Sequence, residues 1–385
     1  MRKRVAVIGS VGVPARYGGF ETLAQNLATE LGSRADLTVY CEARRYPDRP
    51  ARYRGARLVY LPLRANGIQS VLYDAVSMLH AMWTHDVLLL LGVSGALLLP
   101  VVRLLSRARV VVNIDGREWA RRKWGVVARA FLWLSERVAV ALADHIVADN
   151  AAIRADVRAR YGRKAALIEY GADHARRVAP TPQDVETYPF LGGPYACTVC
   201  RVEPENNLHV ILEAFRERAD LPLVAVGNWN DTEYGRTLRR RYGAFPHLRL
   251  LDPMYDRRVD LLRSSCAVYV HGHSAGGTNP SLVEAMFLGR PVIAFDVIYN
   301  RETTEHRALY FRDAKELREL LAPERRGTWP SLGELLRRIA ERRYTWGRVA
   351  ARYLGLLDGE APSKRAAPRP SPVTEVRPAG MGGRI

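Results

Sequence analysis

The chain has 385 residues, 48% of them apolar and 25% charged, a length for two large domains and a composition that excludes a mainly disordered protein. Four cysteines exclude a disulfide scaffold and suit a reducing, cytoplasmic setting. The 58 Lys and Arg exceed the 40 Asp and Glu, and the resulting +18 points to an anionic partner: nucleic acid, an acidic membrane or a phosphorylated substrate.

Met1-Arg2-Lys3-Arg4 is basic, but the apolar run at 5–9 is too short for a signal-peptide core. That run ends in glycine. A Gly/Pro-rich loop follows, then a helical pattern over about 21–31, the opening of a parallel α/β unit. Strand-like runs recur at 37–41, 57–61, 87–91, 109–114, 145–148 and 166–168, with helical stretches between several of them. Such uninterrupted apolar strands suit a parallel sheet covered on both faces. The longest apolar stretch, 87–102, holds Gly92, Gly95 and Pro100. It falls short of the roughly 20 residues that span a bilayer, and reads as a buried strand followed by a buried helix.

Residues 176–193 read as a linker. Strands are then expected at 195–200, 223–226, 248–251, 268–271 and 292–295, with helices near 208–218, 234–242, 257–264 and 280–287. Helical segments close the fold around 314–321 and 332–357. From 359 the chain is rich in Pro, Ala, Arg and Gly, which predicts a disordered tail. The expected division is a first α/β domain over 1–180, a second over 181–358, and the tail 359–385. Ligands of such sheets bind beyond the C-terminal strand ends, so the loops after strands carry the candidates.

The first loop, Gly9 to Thr22, matches neither G-x-G-x-x-G nor a Walker loop. Gly18-Gly19 before a helix lets backbone N–H groups approach an anion, or simply makes a tight turn. The second is Asn113-Ile114-Asp115-Gly116-Arg117-Glu118-Trp119. Asp115 there can orient or deprotonate a hydroxyl, or merely cap a helix. Arg121, Arg122, Lys123 and Trp124 beyond it suit phosphates or a membrane surface, or a solvated helix face. The third, Arg201-Val202-Glu203-Pro204-Glu205-Asn206-Asn207, offers an arginine fork for a diphosphate, or a surface turn. Cys197 and Cys200 form C-x-x-C within a strand, where buried small side chains fit better than a metal.

The fourth loop carries most. His271-Gly272-His273-Ser274-Ala275-Gly276-Gly277-Thr278-Asn279 leads from a strand into Pro280-Ser281-Leu282-Val283-Glu284. Pro280 suits the start of a helix. Ser281 and open N–H groups of the first turn would hold an anion. Glu284, a turn further on, can accept from both hydroxyls of a ribose. Phosphate cradle and ribose acceptor together describe a nucleoside diphosphate.

Four stretches in order (14–22, 115–124, 201–207 and 271–282) resemble the GT-B glycosyltransferases of family 4. Within them they resemble the bacterial rhamnosyltransferase-like subgroup of polysaccharide assembly enzymes. The resemblance spans about 4–320. It implies two Rossmann-like domains facing each other across a cleft. It implies Arg201 on the donor diphosphate and Glu284 on the ribose, as the second glutamate of the family's E-x7-E motif. The loop of Gly276, Gly277, Thr278, Asn279 and Ser281, with Asn206, would wrap the phosphates and the sugar. Gly18, Gly19, Glu21, Asp115 and Trp119 would face the cleft on the acceptor side, with Asp115, Arg201 and Glu284 as the catalytic set.

The chain departs from the family where Gly276 replaces a glutamate and Asn206 a lysine, and Asp115 falls near the usual histidine. The subgroup shares these changes, which argue for a different sugar. The implied reaction is transfer with retention, using dTDP-L-rhamnose as donor substrate and needing no other cofactor. No Asp-x-Asp marks a metal site, so helix dipole and arginine would take the place of Mg²⁺. Donors carrying UDP or GDP, or a GT-B sugar-nucleotide epimerase, are the alternatives, with a nucleic-acid-binding protein as the non-enzyme one. No nucleic-acid-binding motif appears, and a dinucleotide fingerprint is missing. The charge is uneven: residues 1–180 hold 28 basic and 15 acidic side chains. The surplus on the acceptor side would suit a lipid-linked saccharide in an anionic leaflet and a peripheral enzyme on the inner face of the cell membrane.

Overall fold

The computed structural model describes residues 2–16, 18–121 and 124–359. Tyr17, Arg122, Lys123 and the expected tail from 360 onward lie outside the described residues.

The first sheet is built from β1 (Lys3–Ile8), β2 (Ala35–Glu42), β3 (Arg52–Tyr53), β4 (Ala56–Leu61), β5 (Val87–Leu91), β6 (Arg109–Ile114), β7 (His145–Ala148) and β8 (Ala166–Leu167). Their order is β3-β4-β2-β1-β5-β6-β7-β8. Every pairing is parallel except β3 with β4, a short antiparallel edge that the apolar pattern did not predict. Helices α1 (Gly19–Leu31), α2 (Gln69–Ala81), α3 (Leu99–Leu105), α4 (Val126–Leu142) and α5 (Ala151–Tyr161) cover it. The long apolar stretch divides into β5 and α3, as the glycines and proline predict. No helix among the described residues is long and apolar enough to cross a membrane.

The expected linker contains a short helix, α6 (Pro182–Thr187), closed by a Thr181–Asp184 capping box. The second sheet uses β9 (Ala196–Val199), β10 (Leu223–Val226), β11 (Leu248–Leu251), β12 (Val268–His271), β13 (Val292–Phe295) and β14 (Leu309–Phe311). Its order is β11-β10-β9-β12-β13-β14, parallel throughout. Around it lie α7 (Leu208–Phe215), α8 (Glu233–Tyr242), α9 (Arg257–Ser265), α10 (Pro280–Phe287), α11 (Ile298–Thr303), α12 (Ala314–Leu320) and α13 (Trp329–Arg343). The central strands β5 and β9 are apolar at nearly every position because both faces are covered. Cys197 is one of these fillers, and the four cysteines are unpaired.

The last helix, α14 (Trp346–Asp358), departs from the expected division at 181–358. Its apolar stripe of Trp346, Val349, Tyr353, Leu356 and Leu357 is buried in the core of the first domain. Asn113 on β6 donates to the Tyr353 hydroxyl at 2.8 Å, a buried tie across 240 residues. The chain therefore crosses twice between domains. Asn150 bridges them too: it caps α5 and donates to the Tyr299 carbonyl at 3.2 Å.

Candidate active site between the domains

A cavity of about 1810 Å³ separates the C-terminal edges of the two sheets. Of the expected site residues, all line it except Trp119.

On the first-domain wall, α1 starts at Gly19 with Gly18 in extended conformation and no side-chain cap. A Cβ on Gly19 would lie 3.3 Å from the Tyr170 hydroxyl and 3.4 Å from Pro280 Cγ. The N-terminus of α1 thus faces the N-terminus of α10, and the two positive dipole ends converge on the cleft. Glu21 is buried, and its Oε2 accepts the Arg16 N–H at 2.8 Å, which folds the loop back on the helix.

Asp115 follows β6. Arg121 Nη2 donates to Asp115 Oδ2 at 3.2 Å. The same guanidinium pairs with Glu118 at 2.7 Å and reaches Glu205 of the opposite wall at 3.8 Å. Gly116 has φ +70° and comes within 3.7 Å of Gly276 Cα, measured from the position of an added Cβ, so loops two and four touch. Trp119 corrects the sequence expectation. Its indole N–H donates to Glu136 at 2.9 Å and its ring faces Arg160, so it packs inside the first domain. Trp124 lines the cleft instead, donating to Glu118 at 3.0 Å.

On the second-domain wall Arg201 leaves β9 with its Nη1 3.5 Å from Glu203. Asn206 is buried and tied at both ends of its amide. It donates to the Arg201 carbonyl at 2.7 Å, and its oxygen lies 2.7 Å from His273 Nδ1. Burial, with His271, Arg121 and Arg201 nearby, pushes the His273 imidazole well below its ordinary range, so it stands neutral. Burial and the neighbouring Glu203 raise Glu205.

Gly276 adopts φ +90°, the left-handed side that disfavours a side chain, between Arg121 and His273. Gly277 is held closer still: a Cβ there would meet Asp149 Oδ1 at 1.9 Å. Asp149, at the end of β7, is fully buried. Burial and the charge of Asp115 drive its carboxyl well above the usual range, so it sits protonated against the loop. The Thr278 hydroxyl donates to the Asp149 carbonyl at 2.5 Å. Gly277 and Thr278 are therefore a domain contact as well as cleft lining.

The start of α10 differs from the expectation. Asn279 is the cap, accepting the Ser281 N–H at 3.0 Å. The N–H groups of Leu282 and Val283 both bond the Asn279 carbonyl. The Ser281 hydroxyl donates to the Val199 carbonyl at 2.7 Å and receives Arg263 at 3.1 Å. These first-turn donors are already used, because an asparagine cap outcompetes water for them.

Glu284 is 8% exposed and forms an ion pair with Arg263 on α9. His174 Nε2 lies 3.1 Å from its other oxygen. The Trp346 indole N–H, which can only donate, points at His174 Nδ1 at 2.9 Å. That leaves the ring proton on Nε2, directed at Glu284. Burial raises Glu284, but Arg263 and His174 outweigh it and hold the carboxyl below its ordinary range. Sequence reasoning missed His174, Arg263 and Asp149. The polar run Asp173-His174 after a short strand was a signal for the first; Arg263 and Asp149 carry none.

Residues 2–173 match a family described as "Domain of unknown function (DUF1972)", and residues 184–321 match "Glycosyl transferases group 1". No curated protein sequence matches the chain. Among solved structures, the chain is similar to sucrose-phosphate synthase from Thermosynechococcus elongatus, with TM-score 0.76 and 17% identity over 93% of this chain and 98% of that one. Anabaena HepE in complex with UDP-glucose follows, with TM-score 0.71 and 14% identity over 93% and 100%. A putative UDP-N-acetylglucosamine 2-epimerase from Listeria monocytogenes shares the fold at TM-score 0.60 and 13% identity over 93% and 96%. Residues 184–321 thus form a group 1 glycosyl transferase domain, and the two parallel-sheet domains facing each other across a cleft have the GT-B fold.

Proposed function

We propose that the protein is a retaining transferase that moves L-rhamnose from dTDP-L-rhamnose to a lipid-linked saccharide in cell-surface polysaccharide synthesis. The observation that carries the reading is the opposition of Arg201 and Glu284 on one wall to Asp115 and the Gly18–Gly19 turn on the other, within one cleft. The nucleotide ribose would lie on Glu284, whose charge Arg263 and His174 preserve. The diphosphate would lie on Arg201 and the loop before α10, where fixed donors stabilise the charge that grows on the leaving group.

In the transfer, the bond from the anomeric carbon to the diphosphate oxygen breaks. The acceptor oxygen bonds that carbon on the same face, and the hydroxyl proton passes to the leaving phosphate. Asp115 would orient the hydroxyl, and the converging domains would supply proximity and keep out water. The basic first domain would hold the enzyme at the cytoplasmic face of an anionic membrane.

Labelled dTDP-rhamnose and a lipid-linked acceptor test the reading: labelled lipid with retained configuration is the expected product. Transfer from a UDP- or GDP-sugar instead would replace the donor, a reading favoured by the UDP-glucose held by HepE. The fold shared with an epimerase raises the third possibility. Conversion of a sugar nucleotide into its epimer with no acceptor present would establish that one.

A further inference from the structure

The loop between β12 and α10 presents one neutral hydrogen-bond acceptor to the cleft. Asn206 fixes it. The Asn206 Nδ2 donates to the Arg201 carbonyl at 2.7 Å, which leaves Oδ1 facing His273 Nδ1, also at 2.7 Å. An amide oxygen only accepts, so His273 Nδ1 carries the ring proton and Nε2 keeps its lone pair. Burial foremost, then His271, Arg121 and Arg201, outweigh the Ala275 carbonyl and keep the ring neutral. His273 is half-buried and lines the cleft.

Nε2 faces the gap that Gly276 leaves. A Cβ on Gly276 would lie 3.5 Å from His273 Nε2 and 3.4 Å from Arg121 Nη2, and φ +90° disfavours any side chain there. Glycine thus keeps open a polar recess between an acceptor on the second domain and a guanidinium on the first. That guanidinium also holds Asp115 at 3.2 Å, so the recess lies beside the carboxylate assigned to the incoming hydroxyl. On its other side Asn206 ties it to the backbone of Arg201, the residue assigned to the diphosphate. What lies between diphosphate and acceptor is the sugar in transit. A sugar hydroxyl both donates and accepts, so it can satisfy a lone pair and an N–H together.

We infer that His273 Nε2 accepts a hydrogen bond from a ring hydroxyl of the transferred sugar, and so reads the sugar of the donor rather than its nucleotide. The inference rests on the transferase reading above and adds a specificity-determining side chain to it. A neutral nitrogen offers no charge to the diphosphate, which separates its contribution from that of Arg201. A sugar without a hydroxyl at this point leaves the lone pair unmatched, and a site built around a polar contact rejects such an analogue.

The test measures, by calorimetry on the full chain, the affinity of dTDP-rhamnose against dTDP, UDP-glucose against UDP, and GDP-mannose against GDP. The ratio within each pair reports the sugar alone. At least one pair should favour the sugar nucleotide in the wild type. His273→Phe keeps a planar ring and removes the acceptor. It should lower that preference about threefold to tenfold, the worth of one neutral hydrogen bond, and change the affinity for the bare diphosphate much less. His273→Gln places an amide oxygen at the reach of Nε2 and should recover much of the preference. His273→Leu makes the same comparison if the larger ring unfolds the chain. The inference is overturned by a preference equal in wild type and in the variant without an acceptor. It is also overturned by equal losses for sugar nucleotide and bare diphosphate, or by a wild type with no sugar preference. Failure of the transferase reading has a separate signature, a sugar preference that depends on His273 with no transfer to any acceptor.

Discussion

The two walls of the cleft are built differently. On the second-domain wall, polar groups are buried and paired: the Glu284 carboxylate with Arg263 and His174, and the neutral pair Asn206 with His273. On the first domain, the wall combines the Gly18–Gly19 turn and the Asp115–Arg121–Glu118 cluster with an aliphatic stretch toward α2 and α4 that the second wall lacks. A wall of fixed charges suits a ligand of invariant geometry, such as a nucleoside diphosphate. An aliphatic stretch with an open rim offers apolar contact without fixing a ligand's orientation. Variants can be chosen to separate the two.

The largest effect is expected from Glu284→Ala. It leaves Arg263, itself 8% exposed, without its carboxylate, and breaking a buried pair in this way costs about 3–5 kcal/mol. Turnover should fall about tenfold or more with the loss of the ribose acceptor. Arg201→Ala should lower turnover about as much through the diphosphate, with an unfolding midpoint near that of wild type. Denaturant melts beside initial rates separate the two; equal melts would erase the distinction between a buried and a presented charge.

Gly277→Ala comes next. Its Cβ cannot coexist with Asp149 at 1.9 Å, and overpacking of this kind costs about 1–3 kcal/mol. Gly18→Ala on the opposite wall meets no atom within 4 Å and should change stability by less than about 0.5 kcal/mol. If both glycines prove equally tolerant, the domains do not meet at Gly277.

A third comparison uses pH. Burial pushes the Asp74 carboxyl up to about 7, from an ordinary value of 3.8. Between those values the folded chain keeps a proton that the unfolded chain has lost. Stability therefore falls as pH rises through that window and levels off above about 7. Asp74→Asn should flatten the decline in melts taken across the window. The smallest effect concerns the two tryptophans. Trp119→Phe should lower stability slightly and leave acceptor KM unchanged, whereas Trp124→Phe should raise acceptor KM. The opposite pattern would return Trp119 to the cleft.

Much of the architecture was legible because parallel strands covered on both faces must be apolar throughout. That is why β5, β6, β7, β10, β12 and β13 fall at the predicted bounds, as does the edge strand β11, whose three leucines flank an exposed Arg249. The short pieces were not legible: β3 has two residues and β14 three, too few to show a period. The loops after the strands were legible as cleft candidates because a parallel sheet presents them at one edge.

Sequence alone therefore determined that there are two parallel α/β domains, where their loops converge, and which loop leads into the helix carrying Glu284. Tertiary structure decided how side chains in those loops are spent. His174 and Glu284 stand 110 residues apart in the chain, and only the contacts of Glu284 with Arg263 and His174 show that it stays charged. Trp119 and Trp124 look alike in sequence, and packing against Glu136 turns one inward. The apolar stripe of α14 specified burial but not a partner, and it was the open face of the first domain that received it. Local pattern encodes periodicity and caps, whereas pairing of distant charges and choice of packing partner depend on which surfaces the folded chain brings within a few ångströms.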